Sequence, residues 1–123
     1  MQSKKKIIVV DDEKDIRDAV SSLLNDYDFE VEIAKNGAEL LKKLPKVKPD
    51  LILLDIIMPG LTTYEITTEL EKRKDKTPII FLTVVRFADQ TKNIMTSNMV
   101  DYIEKPFDNK DLIKRIKNAL AMR

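Results

Sequence analysis

Residues 51–59 read LILLDIIMP, a run of leucine and isoleucine broken by one acid, Asp55, and closed by Pro59. Short apolar runs bounded by charge or proline are how strands buried on both faces of a parallel sheet read. An ionised carboxylate inside such a run is costly to desolvate unless something balances its charge or uses it. Two further runs share the pattern, IIVV at 7–10 and IIFL at 79–82. Between the runs the apolar period changes to that of a helix. Ile16, Ala19, Val20, Leu23, Leu24 and Tyr27 fall on one helical face, as do Leu112, Ile113, Ile116, Ala119 and Leu120. Asp108 suits the N-cap of that last helix, with Asp111 in its first turn.

Weaker signals fill the intervals. EVEIA at 30–34 alternates like a half-exposed edge strand, and AELLKKL at 38–44 predicts a short helix that stops before Pro45. Helices are expected over Thr62–Lys74 and Ala88–Ser97, and VDYIEKP supplies a fifth strand ending at Pro106. Strand then helix, five times over, describes an α/β fold: a doubly wound, five-stranded parallel sheet with helices on both faces. With 123 residues and no linker or repeat, the chain is expected to form a single domain over 1–123.

Composition narrows the chemistry. The 22 basic and 21 acidic side chains nearly cancel, so no global field recruits nucleic acid or an anionic membrane. The absence of cysteine excludes thiolate chemistry and suits a reducing cytoplasm; the absence of histidine excludes imidazole as base, ligand or phosphate carrier. The only apolar run near the N-terminus, Ile7–Val10, is too short for a signal peptide or a spanning helix, so a cytoplasmic protein is expected.

In such sheets the reactive groups gather where strands end. The first strand ends in Asp11 and Asp12, the third in Asp55, the fourth in Thr83, and the fifth near Lys105. Crowded carboxylates raise one another's pKa unless a cation joins them, and oxygen ligands of this kind suit Mg²⁺. With a lysine and a hydroxyl nearby, the set would clamp a phosphoryl group, and Asp can be the nucleophile, giving an aspartyl phosphate.

The stretches VVDDE, LILLDIIMPG, IIFLT and DYIEKPF together resemble the receiver domain of two-component response regulators, from Lys6 to about Arg123. The family has the flavodoxin-like strand order 2-1-3-4-5. The resemblance implies that Asp55 is the phosphoacceptor. It further implies that Asp12 and Asp55 ligate Mg²⁺ with Asp11 assisting through water, and that the Ile57 carbonyl completes the protein ligands. Lys105 would pair with phosphoryl oxygens, Thr83 would hydrogen-bond one of them, Tyr102 would be the aromatic switch, and a cis peptide would precede Pro106. The donor would be a histidine kinase or phosphotransfer protein. Output would pass through the face made by the 88–97 helix, the fifth strand and the last helix, with no direct nucleic-acid or membrane contact. The sequence ends just after that helix, so no output domain is expected within it.

Bland rivals exist for each residue: Asp11 or Asp12 as helix caps, Thr83 as an ordinary strand residue, Tyr102 as a surface aromatic, Lys105 as a solvated cation. A haloacid dehalogenase phosphatase would want a second Asp where Ile57 stands, and a flavodoxin-like binder would want a Gly- or Ser-rich loop where DDEKD stands. A degenerate receiver that only docks partners is the alternative within the fold. Departures from the family pattern are Val84, Val85 and Ile57 around the site, and Thr63, Asp28 and Asn98 where relatives often have glycine.

Overall fold

The computed structural model describes residues 4–83 and 98–121. Within them the chain runs β1 (Lys6–Val10), α1 (Lys14–Asp26), β2 (Glu30–Ala34), α2 (Gly37–Val47), β3 (Leu51–Asp55), α3 (Thr63–Lys72), β4 (Ile79–Thr83), β5 (Met99–Glu104) and α4 (Asn109–Ala121). All strand pairs are parallel, in the order β2-β1-β3-β4-β5. The expected sheet and its order are therefore observed. The helix expected over 88–97, together with Val84 and Val85, lies outside the described residues.

Strand side chains alternate between two apolar layers. Ile7, Val9, Leu51, Leu53, Ile80, Leu82 and Ile103 meet Val20 and Leu24 of α1 and Leu112, Ile113 and Ile116 of α4. Their neighbours Ile8, Val10, Ile52, Leu54, Ile79 and Phe81 meet Leu40 and Leu44 of α2 and Ile66 and Leu70 of α3. Every residue of β3 is buried, Asp55 included. Each such leucine or isoleucine contributes roughly 1.5–3 kcal/mol relative to leaving it exposed.

Local chemistry sets the helix ends. Asn36 caps α2 by accepting the Glu39 N–H at 2.9 Å, and Thr62 and Glu65 form a capping box at the start of α3. Asp108 accepts the Asp111 N–H at 3.1 Å, the cap expected for the last helix. Gly37 lets α2 start hard against α3, since a Cβ there would lie 2.5 Å from Ile66 Cδ1. Of the positions where glycine is expected, Asp28 has φ 65°, whereas Thr63 is an ordinary first residue of α3. The Lys105–Pro106 peptide is cis, as expected.

One boundary differs from the sequence reading. The helix α2 does not stop before Pro45 but continues through it to Val47. Proline there removes the N–H that would bond the Leu41 carbonyl, four residues back. Arg73, just beyond α3, supplies the missing donor: its guanidinium bonds the Leu41 carbonyl at 2.9 Å. On the outer side of β2, Lys43 Nζ bonds the Ile33 carbonyl at 2.6 Å. Among the described residues no helix is long and apolar enough to cross a membrane.

Candidate functional site

The carboxyl-terminal ends of β1, β3 and β5 bring three acids and a lysine together. The Asp11 N–H bonds the Ala34 carbonyl at 3.2 Å, extending the ladder one residue beyond β1. Asp55 pairs in register with Leu82 at the end of β3. Carboxylate oxygens of Asp11, Asp12 and Asp55 lie within 4.8 Å of one another. Asp11 and Asp55 are buried, while Asp12 faces solvent.

Lys105 follows β5 and reaches back across the sheet edge. Its Nζ is 2.6 Å from Asp11 Oδ2 and 3.6 Å from Asp55 Oδ2, with the side chain only 8% exposed. The solvated-cation reading is thereby excluded, and the tighter partner is Asp11. Asp11 Oδ1 accepts the Glu13 N–H at 3.0 Å. Neither Asp11 nor Asp12 is the N-cap of α1; that residue is Glu13, whose side chain makes no capping bond.

Asp55 is left short of positive charge. Burial pushes its carboxyl up from 3.8 to about 6, against the pull of Lys105, and the Asp11 charge adds to the rise. The Ile57 N–H, which donates to Asp55 Oδ1 at 3.2 Å, lowers it, and Asp12 raises it further. A group of hard oxygen donors with an excess of negative charge fits a divalent cation such as Mg²⁺. The residues present are therefore compatible with the metal implied by the resemblance.

The remaining expected residues are placed with varying completeness. Thr83 closes β4 in register with Glu104. Tyr102, opposite Phe81 on β5, is half-buried and packs against the apolar layer under α2 and α3, so it is not a freely exposed aromatic. Its carbonyl accepts from Arg115 at 3.2 Å. Ile57 contributes its amide to Asp55 while its own side chain points outward, 49% exposed. Asn98 is buried and its amide group donates to the Asp75 and Thr77 carbonyls at 2.8 and 2.9 Å, tying the start of β5 to the turn before β4.

Two contacts were not anticipated from the sequence. Arg17, on the second turn of α1, donates to the Asp11 carbonyl at 2.7 Å. Thr63 donates from Oγ1 to the Ile56 carbonyl at 3.3 Å, beside the site. An arginine six residues after a strand-end acid is a usable signal for the first; the second depends on how the loop after β3 folds back.

Comparison with known proteins bears on the family and the fold. A family model described as "Response regulator receiver domain" matches residues 7–117. A probable transcriptional regulator, ycf27, from Pyropia yezoensis is 39% identical over 117 residues, covering 95% of this chain and 48% of its own length. The chain thus spans about half the length of the curated relatives it matches. Among solved structures, the chemotaxis protein CheY4 of Vibrio cholerae superposes with a TM-score of 0.84 at 30% identity, covering 94% of this chain and 98% of that one. A CheY-like receiver domain protein of Methanospirillum hungatei gives 0.89 at 29% identity, covering 98% and 96%.

Proposed function

Because this chain belongs to the response regulator receiver family, we propose that it is a phosphorylation-controlled switch whose acceptor is Asp55. The observation that carries this reading is the convergence of Asp11, Asp12 and Asp55 within 4.8 Å, with Lys105 reaching both buried acids. A carboxyl at about 6 is mostly ionised at neutral pH and so is available as a nucleophile.

Asp55 attacks the phosphorus of a phosphohistidine on a histidine kinase or phosphotransfer protein. A P–O bond forms, the P–N bond breaks, and the departing imidazole takes up a proton. Asp12, Asp55 and the Ile57 carbonyl would hold Mg²⁺, with Asp11 acting through water; the ion supplies charge neutralisation for the phosphoryl oxygens. Lys105 has Asp11 as its near partner and lies one ångström farther from Asp55 Oδ2. Its ammonium carries three donors, so one can stay on Asp11 while another takes a phosphoryl oxygen. Thr83, at the end of β4, would take a further phosphoryl oxygen, and Tyr102 would repack in response, passing the change to the face of β5, α4 and the 88–97 segment. Such a partnership belongs in the cytoplasm.

The test is covalent. Incubation with Mg²⁺ and acetyl phosphate should add one phosphoryl group, mapped to Asp55 by mass spectrometry and lost in Asp55→Asn. Failure of the wild type to load from acetyl phosphate and from a cognate phosphohistidine protein would leave the interaction-module alternative standing.

A further inference from the structure

The loop after β3 departs from the family pattern at Thr63, and the structure gives that threonine a task. We propose that Thr63 is a positioning residue for Asp55, acting through the Ile56–Ile57 peptide plane. The inference rests on the reading of Asp55 as the phosphoacceptor.

The carbonyl of Ile56 and the N–H of Ile57 are the two ends of one rigid plane. Thr63 Oγ1 donates to the carbonyl end at 3.3 Å, and the N–H end donates to Asp55 Oδ1 at 3.2 Å. On the preceding side, the Ile56 N–H is fixed to the Leu82 carbonyl at 3.1 Å, so the segment leaves the sheet from a fixed point. The remaining freedom is rotation of the 56–57 plane, and the Thr63 hydroxyl opposes it. Thr63 is only 5% exposed and is not needed as a cap, since Thr62 fills that role. Its own carbonyl accepts from Thr67 Oγ1 at 3.0 Å, and Thr67 is buried too, which anchors the first turn of α3 from which the hydroxyl reaches.

The carbonyl of Ile57 belongs to the next plane and turns about its own dihedrals, so what the held plane orders is the Asp55 carboxylate. Holding the plane therefore orders an oxygen of Asp55, itself a proposed metal ligand. A glycine at 63 has no hydroxyl to hold that plane. A threonine whose hydroxyl merely satisfied itself on the nearest acceptor would contribute to folding and leave Mg²⁺ affinity alone; this difference separates the two roles.

The experiment compares wild type with Thr63→Val, which keeps the shape and loses the hydroxyl, and Thr63→Ser, which keeps the hydroxyl. Three quantities are read on the intact chain: Mg²⁺ affinity by titration, phosphorylation rate from acetyl phosphate at subsaturating Mg²⁺, and hydrogen exchange of the Ile57 amide. In Thr63→Val, affinity and rate should each fall about three- to tenfold, what one net hydrogen bond supplies. Ile57 exchange should quicken, and Thr63→Ser should restore all three. A Thr63→Val protein with a lowered melting temperature but unchanged Mg²⁺ affinity and Ile57 exchange overturns the inference while Asp55 phosphorylation stands. A wild type that neither binds Mg²⁺ nor loads phosphate overturns both.

Discussion

At the scale of single residues, Asp55 holds a charge that the folded chain disfavours. Its carboxyl sits at about 6 against 3.8 in the ordinary state, so the folded protein takes up this proton at higher pH than the unfolded one. The group's contribution to stability is therefore least favourable above pH 6. It improves as pH falls from 6 toward 3.8, the reverse of an acid held down by a salt bridge. Asp55→Asn, measured with chelator present, should raise the melting temperature at pH 7. At ~1.4 kcal/mol per unit the gain is bounded at about 3 kcal/mol. The difference between variant and wild type should shrink as pH drops from 7 to 5, and Mg²⁺ should stabilise the wild type more than the variant. A variant less stable than wild type at pH 7, or a gap that widens on acidification, would show that Lys105 compensates Asp55 fully. The expense of Asp55 was legible in its apolar flanks. The preference of Lys105 for Asp11 was not, because it depends on ångström differences across a sheet edge.

Among the elements, α2 and α3 are joined by an unusual exchange. The Leu41 carbonyl, which Pro45 cannot serve, is bonded by Arg73. The two positions should therefore couple. Arg73→Ala should cost about 1 kcal/mol in the native background. It should cost much less with Pro45→Ala, where a restored N–H takes the same carbonyl. Urea denaturation of the four proteins of this cycle checks it; strictly additive effects would mean the guanidinium contact is incidental. This is also why the sequence reading ended α2 too early. Proline's effect is local and visible, whereas its remedy lies 32 residues from Leu41 along the chain. The buried strands were readable for the opposite reason, since burial on both faces of a parallel sheet imprints itself on every successive residue. The fully buried β3 and the half-exposed β2 have opposite patterns, and each predicted its own place in the sheet.

At the scale of the whole molecule, two apolar layers of comparable make-up sandwich one sheet, and the reactive groups stand where β1, β3 and β5 end. That placement follows from topology: with parallel strands, all the carboxyl ends share an edge, so a polar residue ending each run is enough to assemble a site. Thr63 was read from sequence only as a misplaced non-glycine, because its value depends on a loop geometry that no periodicity encodes.

Among the described residues the sheet has an open margin at β2, where Ile33 is 40% exposed. An unpaired strand edge is a template for another copy to add to, and proteins discourage this with charge. Here Glu30 and Glu32 flank the margin, and the Lys43 ammonium occupies the Ile33 carbonyl that a newcomer would need. A second copy adding at this edge would have to displace Lys43 from that carbonyl. Lys43→Ala should form higher-order species at lower concentration than the wild type in sedimentation or light scattering, and identical behaviour of the two would show that the glutamates alone suffice.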